Sequence, residues 1–250
     1  MSEVTCDVVA DHVAMVCLRR PPNNFFDTEL LSELAGVYEE MATTTWCRVI
    51  VLTSEGRHFC AGLDFATNRH QDIAELYGHA LRLFAAPLPV VAAVQGAAVG
   101  GGFGLALSAD FRIASPSSRF SANFARLGFH HGFGMSVTLP AVAGRQAAAD
   151  LLYTGRRVGG AEARALGICD DLVAEDHLRE AATTLARAIA ASGPLAVRSI
   201  RSTLHGDLVE RLRSAMDHEC TEQERLRHTD DFAEGITASA ERRDPDFSGA

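Results

Sequence analysis

Short β-branched apolar runs and longer stretches with apolar residues at helical spacing alternate through the first half of the chain. His12 to Leu18 reads as a strand, and Arg19-Arg20-Pro21-Pro22-Asn23-Asn24 ends it, because proline cannot donate to a ladder and asparagine favours a turn. Asp27 or Thr28 can then cap a helix running to about Met41, with Leu30, Leu31, Leu34, Val37, Tyr38 and Met41 on one face. Val49 to Leu52 has the composition of a buried strand, and a loop over Ser54 to Asp64 follows. The spacing of Ile73, Leu76, Tyr77, Leu81 and Phe84 predicts a helix over 68–86 that Pro87 and Pro89 stop. Val90–Val94 is the next strand, Gly100-Gly101-Gly102 leads into a small, apolar, buried helix over Phe103–Ser108, and Phe111–Ala114 is another strand.

Beyond Asp150 the periodicity is almost wholly helical. Helices are expected over 145–152, 160–166, 176–191, 194–204, 207–225 and 230–243. Strand–helix alternation followed by a run of helices predicts an α/β core with a helical tail used for packing or oligomer contacts.

The bulk numbers narrow the classes of function. At 250 residues and 47% hydrophobic content the chain can build one large core. A net charge of −9 leaves no basic stripe for nucleic acid. An anionic ligand would need local arginines working against the overall field. The six cysteines are scattered, with no CxxC and no Cys/His pair at zinc spacing, so they read as reduced, buried small hydrophobes and no metal is expected. The first residues show no signal-peptide pattern, and no window reaches the roughly 18 uninterrupted apolar residues of a membrane span, which makes the cytoplasm the expected location.

Two stretches carry the candidate chemistry. RVIVLTSEGRHFCAGLD (48–64) and VVAAVQGAAVGGGFGLALSAD (90–110) each run from an apolar strand through a glycine-bearing turn toward a helix. Two such turns can aim two backbone N–H groups at one point, which is a way to hold an oxyanion. A glycine triplet alone would read as a device for close helix packing. Beside FCAGLD it reads as half of an anion hole.

HFCAGLD, Gln95-Gly96 followed by VGGG, ADFRIAS, RFSANFARLG and the terminal DDFAEGITASAERRDPDF resemble, in order and over nearly the whole chain, the enoyl-CoA hydratase/isomerase (crotonase) superfamily. The resemblance implies a spiral of ββα units over residues 1–190, with a C-terminal helical region over 191–250 used for trimerisation. It implies a homotrimer or dimer of trimers, and an acyl-CoA substrate in which coenzyme A is part of the substrate and no separate cofactor is needed. It also implies an oxyanion hole for the enolate of the thioester, with the N–H groups of Leu63 and Gly101 as donors. Gly101 would open a helix, where amides are unpaired and the macrodipole favours negative charge, and Gly100 to Gly102 would let the thioester approach the backbone. Such donors are worth about 3–4 kcal/mol each as charge develops.

The usual hydratase glutamates are missing. Their places are taken by Gly104 and Phe124, neither of which can move a proton, and such groups contribute about 10²–10⁴-fold each. Ordinary hydration of an enoyl-CoA is therefore not expected. Some relatives of this superfamily carry a carboxylate just past the equivalent of Gly128; here that stretch is Phe129-His130-His131-Gly132, so His131 and then His130 are the acid/base candidates, with the alternative that they are loop residues at a subunit contact. Asp64 reads mainly as a turn residue, and His58 and His70 as surface.

For coenzyme A, the resemblance implies adenine contacts near Phe25 and Ala61 and phosphate contacts from Arg20 and from Arg242 of a neighbouring subunit; Ala66 stands where relatives often have a lysine. Phe65, the Ile73–Tyr77 face, Phe103, Phe124 and Phe129 are expected to line the acyl pocket, with Asp64, Gly100 and Gly132 close by. Three readings follow: an acyl-CoA enzyme with altered acid/base groups, a non-catalytic acyl-CoA binder, or an oligomeric scaffold.

Overall fold

In the computed structural model, residues 2–64 and 72–250 are described. The chain runs β1 (Val4–Ala10), β2 (Val13–Leu18), α1 (Thr28–Thr43), β3 (Val49–Ser54), α2 (Ile73–Ala85), β4 (Val90–Val94), β5 (Ala97–Val99) and α3 (Gly101–Leu107). It continues through β6 (Phe111–Ala114), β7 (Arg119–Ser121), a 3₁₀ turn (Asn123–Leu127), α4 (Met135–Ala143), α5 (Arg145–Thr154), β8 (Arg157–Gly159), α6 (Gly160–Ala165) and β9 (Asp171–Leu172). A second 3₁₀ turn (Glu175–His177) precedes α7 (Leu178–Ala190), α8 (Pro194–His205), α9 (Leu208–Leu226) and α10 (Asp230–Glu241).

Six strands form one sheet in the order β1-β2-β3-β4-β6-β9, parallel except for the antiparallel edge strand β1. All six residues of β3 are buried because both faces are covered, as a parallel sheet requires. Val49 and Val51 face α7, where Leu178, Ala182, Ala186 and Ala190 form the opposing surface. Ile50 and Leu52 face the larger core with Leu30, Leu31 and Leu34 of α1 and Leu76, Ala80 and Leu83 of α2. Leu212 and Met216 of α9 belong to that same core, so the C-terminal helices extend it.

The helix starts follow local chemistry. Asp27 caps α1 by accepting from the Leu30 N–H at 2.9 Å, and Asp72 caps α2 by accepting from Ala74 and Glu75. The residues expected to open that helix before Asp72 lie partly outside the described ones.

Helix α8 is fastened differently. Arg201 is its buried residue, while Leu195, Ile200 and Leu204 are exposed. The Arg201 guanidinium donates to Asp110 and to the Ala86 carbonyl, and Arg198 donates to the Ala42 carbonyl. Polar anchors rather than apolar burial hold this helix down. No described helix is long and apolar enough to cross a membrane.

Candidate active site

The site grows from a second, smaller sheet in which β5 lies between the Cys60 segment and β7, with β8 beyond. Cys60 pairs in parallel with Ala98 of β5, and Ala98 in parallel with Phe120 of β7. The Cys60 N–H donates to the Ala97 carbonyl at 3.1 Å, and the Val99 N–H to the Cys60 carbonyl at 3.0 Å. Three chain segments therefore run side by side in one direction and end together. Past their carboxyl ends come Gly62–Leu63, Gly100–Gly101 and Asn123–Phe124, in the crevice where α/β sheets place ligands.

The first two turns touch. Gly62 has a φ of +83°, and a methyl group on it would stand 2.7 Å from the Val99 oxygen and 3.4 Å from the Gly101 nitrogen. Only glycine fits there. The Phe26 N–H donates to the Gly62 carbonyl at 3.0 Å within a parallel bridge between Phe26 and Leu63. In such a bridge successive residues face opposite edges, so the Leu63 N–H is turned away from Phe26. Gly101 is the first residue of α3, where no intrahelical acceptor exists. Neither amide has an acceptor among the described residues.

The surroundings are apolar where hydratases carry carboxylates. A Cβ on Gly104 would lie 2.5 Å from the Phe133 Cβ, so the space a glutamate would need is filled by that ring. Phe133 is itself held at a φ of 63° and packs on Phe26 and Phe84 at ring distances of 5.6 and 6.4 Å. Phe124 is buried, its ring end 3.8 Å from where a Gly100 Cβ would stand. The nearby Cys60 thiol is fully buried and pushed up to about 12 by that burial, so it supplies no thiolate nucleophile.

Other expected lining residues are core. Phe103 packs on Phe120 at 5.4 Å, Phe129 packs on Phe232 of α10 at 4.8 Å, and Ile73, Leu76 and Tyr77 are buried. Phe65, Ala66 and His70 lie outside the described residues. Gly132 is closed against α2, since a Cβ there would meet the Tyr77 hydroxyl at 1.7 Å.

The histidine pair is built into the junction with α9. The His130 and His131 rings stack at 4.2 Å, and His130 meets His218 edge-on at 5.9 Å. Glu219, fully buried, accepts from the Gly134 and Ser136 N–H groups and from the Ser136 hydroxyl, at 2.8, 3.0 and 2.6 Å. Because that hydroxyl donates to Glu219, the His131 Nε2 2.8 Å away must donate to it, which leaves Nδ1 with the lone pair.

His131 does not titrate near neutrality, where an acid/base histidine would ordinarily work. Burial, with His130 and His218 nearby, pushes it down to about 4, so at pH 7 it is neutral and can accept a proton but not supply one. Stability depends on this. The unfolded chain takes up the proton near its ordinary value of 6.5 and the native chain only near 4, so the contribution present above pH 6.5 is lost as the pH falls to 4. The loss is on the order of 3 kcal/mol. Burial pushes Glu219 up, the opposite sign. Urea unfolding at pH 7 and pH 4.5 should show a smaller acid loss in His131→Gln than in the wild type, Glu219 being common to both.

His58 is not a plain surface residue. It is half-buried, and its Nδ1 accepts from the Ala97 N–H at 3.2 Å, which helps set β5 against the Cys60 loop. Sequence reasoning missed this bond, although His58 precedes FCAGLD directly enough to have raised it.

The residues expected around coenzyme A are spread out. Arg20 is held by Glu3 and Asp27, so its charge already has two carboxylate partners, and its Nη1 lies 3.5 Å from the Phe25 carbonyl. The Ala61 N–H donates to the Asn23 carbonyl at 2.9 Å, beside the same turn, and Asp64 is half-buried. Arg242, expected from a neighbouring subunit, lines a polar cleft of about 970 Å³ together with Val99 and Asn123 of its own chain.

Comparison with known proteins agrees with this architecture. Residues 9–250 match the profile of the enoyl-CoA hydratase/isomerase family. The chain is 32% identical to carnitinyl-CoA dehydratase of Proteus mirabilis, over 95% of each chain, and 30% identical to 1,2-epoxyphenylacetyl-CoA isomerase of Escherichia coli, over 100% of each. A crystal structure of an enoyl-CoA hydratase/isomerase from Pseudoalteromonas atlantica superposes with a TM-score of 0.89 at 25% identity, covering 99% of this chain and 100% of that one. A spiral α/β fold, two touching glycine turns and a match along almost the whole length lead to one conclusion: the chain belongs to the enoyl-CoA hydratase/isomerase family.

Proposed function

We propose that this protein binds an acyl-CoA thioester and stabilises the enolate formed at its Cα, with the thioester oxygen between the N–H groups of Leu63 and Gly101, and that it does not carry out ordinary enoyl-CoA hydration. The observation that carries this reading is the pair of amides without acceptors on two turns in contact. The apolar filling at Gly104 and Phe124 argues against hydration, because no carboxylate is left there to activate a water. Coenzyme A enters as part of the substrate, and assembly as a trimer or dimer of trimers in the cytoplasm completes the reading. Sedimentation velocity tests the assembly.

A non-catalytic acyl-CoA binder is the second reading. The bond from His131 Nε2 to Ser136 favours it, since that nitrogen already serves the α9 junction. Incubation of butyryl-CoA with the protein in D₂O separates the two. Deuterium at Cα, lost in His131→Gln, supports an enzyme with His131 as proton acceptor; tight binding without exchange supports the binder. Crotonyl-CoA hydration at rates typical of hydratases would contradict both, and no acyl-CoA binding at millimolar concentration would leave only a scaffold.

A further inference from the structure

Among the described residues Glu219 is the only fully buried carboxylate, and it sits on α9 against the head of α4. Its two oxygens take three hydrogen bonds there: from the Gly134 and Ser136 N–H groups at 2.8 and 3.0 Å and from the Ser136 hydroxyl at 2.6 Å. The two main-chain donors are an ordinary helix cap, since first-turn amides have no intrahelical acceptor. The hydroxyl is not needed for that. Its single proton goes to Glu219, so toward His131 it can only accept, and the ring nitrogen Nε2 at 2.8 Å is the donor. Among the described residues, the basic side chain within ion-pair range of Glu219 is His131 itself, at 3.9 Å.

The ring is also held against rotation. His130 stacks on it at 4.2 Å, and the His130 Nδ1 donates to the His131 carbonyl at 2.7 Å, which fixes the stacking partner. The His130 carbonyl accepts from the Gln223 side chain at 2.9 Å, and Gln223 accepts from the Tyr77 hydroxyl at 2.9 Å. Glu219 and Gln223 of α9 thus grip the segment 130–136 at both ends. That segment borders the glycine turns: Phe133, two residues past His131, has its ring 3.5 Å from where a Gly101 Cβ would stand. A histidine with one tautomer, a fixed ring and a buried counter-charge beside it is arranged to take a proton, which fastening a loop does not require.

We infer that Glu219 and Ser136 are positioning residues of the proposed enolate site. They hold His131 in its Nε2–H form, so that Nδ1 takes the Cα proton of the substrate, and Glu219 carries the counter-charge of the imidazolium that results. In that step the Cα–H bond breaks and its electron pair moves into the enolate, whose oxygen lies between the Leu63 and Gly101 amides. The proton goes to Nδ1, Nε2 keeps its own and donates it to the Ser136 oxygen, and Glu219 stays ionised. Return of a proton from Nδ1 to Cα regenerates the thioester. Burial opposes a charge on His131, and the carboxylate offsets it. This rests on the enolate-forming reading of the site.

Three measurements on the full chain test this. ¹⁵N NMR of histidine-labelled protein reads the tautomer, deuterium uptake at Cα of butyryl-CoA in D₂O reads proton transfer, and calorimetry reads binding. The wild type should show His131 protonated on Nε2. Ser136→Ala should show a mixture of tautomers and exchange about 10–100-fold slower, with Kd changed by less than about 2-fold. Ser136→Thr keeps the hydroxyl and should restore both readings. Glu219→Gln keeps an acceptor for that hydroxyl and removes the charge, so it should hold the tautomer and still slow exchange. If Glu219→Gln does not fold by circular dichroism, Ser136→Ala decides, since it leaves both main-chain bonds to Glu219 in place. Wild-type tautomer and exchange in folded Ser136→Ala overturn the inference. Wild-type exchange that survives His131→Gln also overturns it and leaves the enolate reading standing. No exchange by the wild type overturns that reading, and this inference with it.

Discussion

Replacing Gly101 by proline in a Phe26→Ala background is expected to cut Cα exchange of a bound acyl-CoA by about 10²–10³-fold, the usual cost of one oxyanion donor. Proline removes the N–H and keeps the helix start, because the first helical position is the one place where that N–H has no intrahelical use. The Phe26→Ala change is needed for room, since a Cβ at position 101 would stand 2.4 Å from the Phe26 ring. Gly101→Ala in the same background adds the Cβ and keeps the amide, so it should stay close to the Phe26→Ala parent. A second readout does not need turnover: isotope-edited infrared of a ¹³C-labelled thioester should show the carbonyl stretch returning toward its solution position in the proline variant only. Equal behaviour of the alanine and proline variants in both assays would remove Gly101 from the hole.

The largest expected loss of stability lies away from the site. The Asp110 carboxylate accepts from the Val90 N–H at 2.8 Å, from Arg201 Nε at 3.0 Å and from His205 Nε2 at 3.1 Å, joining β4 to α8. Burial acts to raise its pKa, but His205, Arg201 and the Val90 N–H outweigh it and hold the group below the usual carboxylate range. The stabilisation is therefore complete above that range and is lost as the pH falls through the depressed value. Asp110→Ala leaves the Arg201 guanidinium nine-tenths buried without its carboxylate. Breaking such a pair costs about 3–5 kcal/mol, and because the carboxylate keeps 16% of its surface the lower end applies. For a chain of this size that is a fall in Tm of roughly 6–12 °C. Proteolysis should cut α8 first. Scanning calorimetry of Asp110→Ala, beside a double Asp110→Leu/Arg201→Met variant that removes both charges, checks the account; a shift under about 2 °C for the single variant would show that α8 is held by something else.

How much of this could be read before the fold was known depends on which force shapes each element. Helices α1, α2, α7, α9 and α10 follow the apolar spacing closely because each lies against a core with one face, and α1, α2 and α10 also carry a side-chain cap such as Asp27. Helix α8 follows it with its apolar side chains exposed and polar anchors holding it. The buried strands β3, β4 and β6 were equally plain. Strand β1 was not, since it is an edge strand with only Val4 fully buried. Strands β5, β7, β8 and β9 have two or three residues each, too few for any period to register, and they are the ones that build the smaller sheet and complete the larger. Helix α4 hid behind its internal Pro140.

At the site, the glycine turns were legible because only glycine tolerates the Val99 and Cys60 carbonyls beside positions 62 and 102. The replacement of the glutamates was legible by position, but not its reason, because Phe133 reaches Gly104 only through tertiary packing. His131 was legible as an unusual residue and not as a neutral one. Its low proton affinity comes from burial in the fold, with His130 beside it and His218 of α9, more than 80 residues along the chain, adding to it.

The three parallel segments that end side by side have a practical consequence. What they would present to a ligand at Leu63 and Gly101, under the proposed function, is main chain held in place by strand pairing. An alanine scan would misreport both positions: Leu63→Ala leaves its amide where it was, and Gly101→Ala pushes on the Phe26 ring 2.4 Å from its Cβ without removing the N–H. Side chains around the rim could likewise be exchanged, by drift or by design, while the proposed anion hole would survive intact. Only edits to the peptide unit, by proline or by an ester bond in a semisynthetic chain, would make it visible.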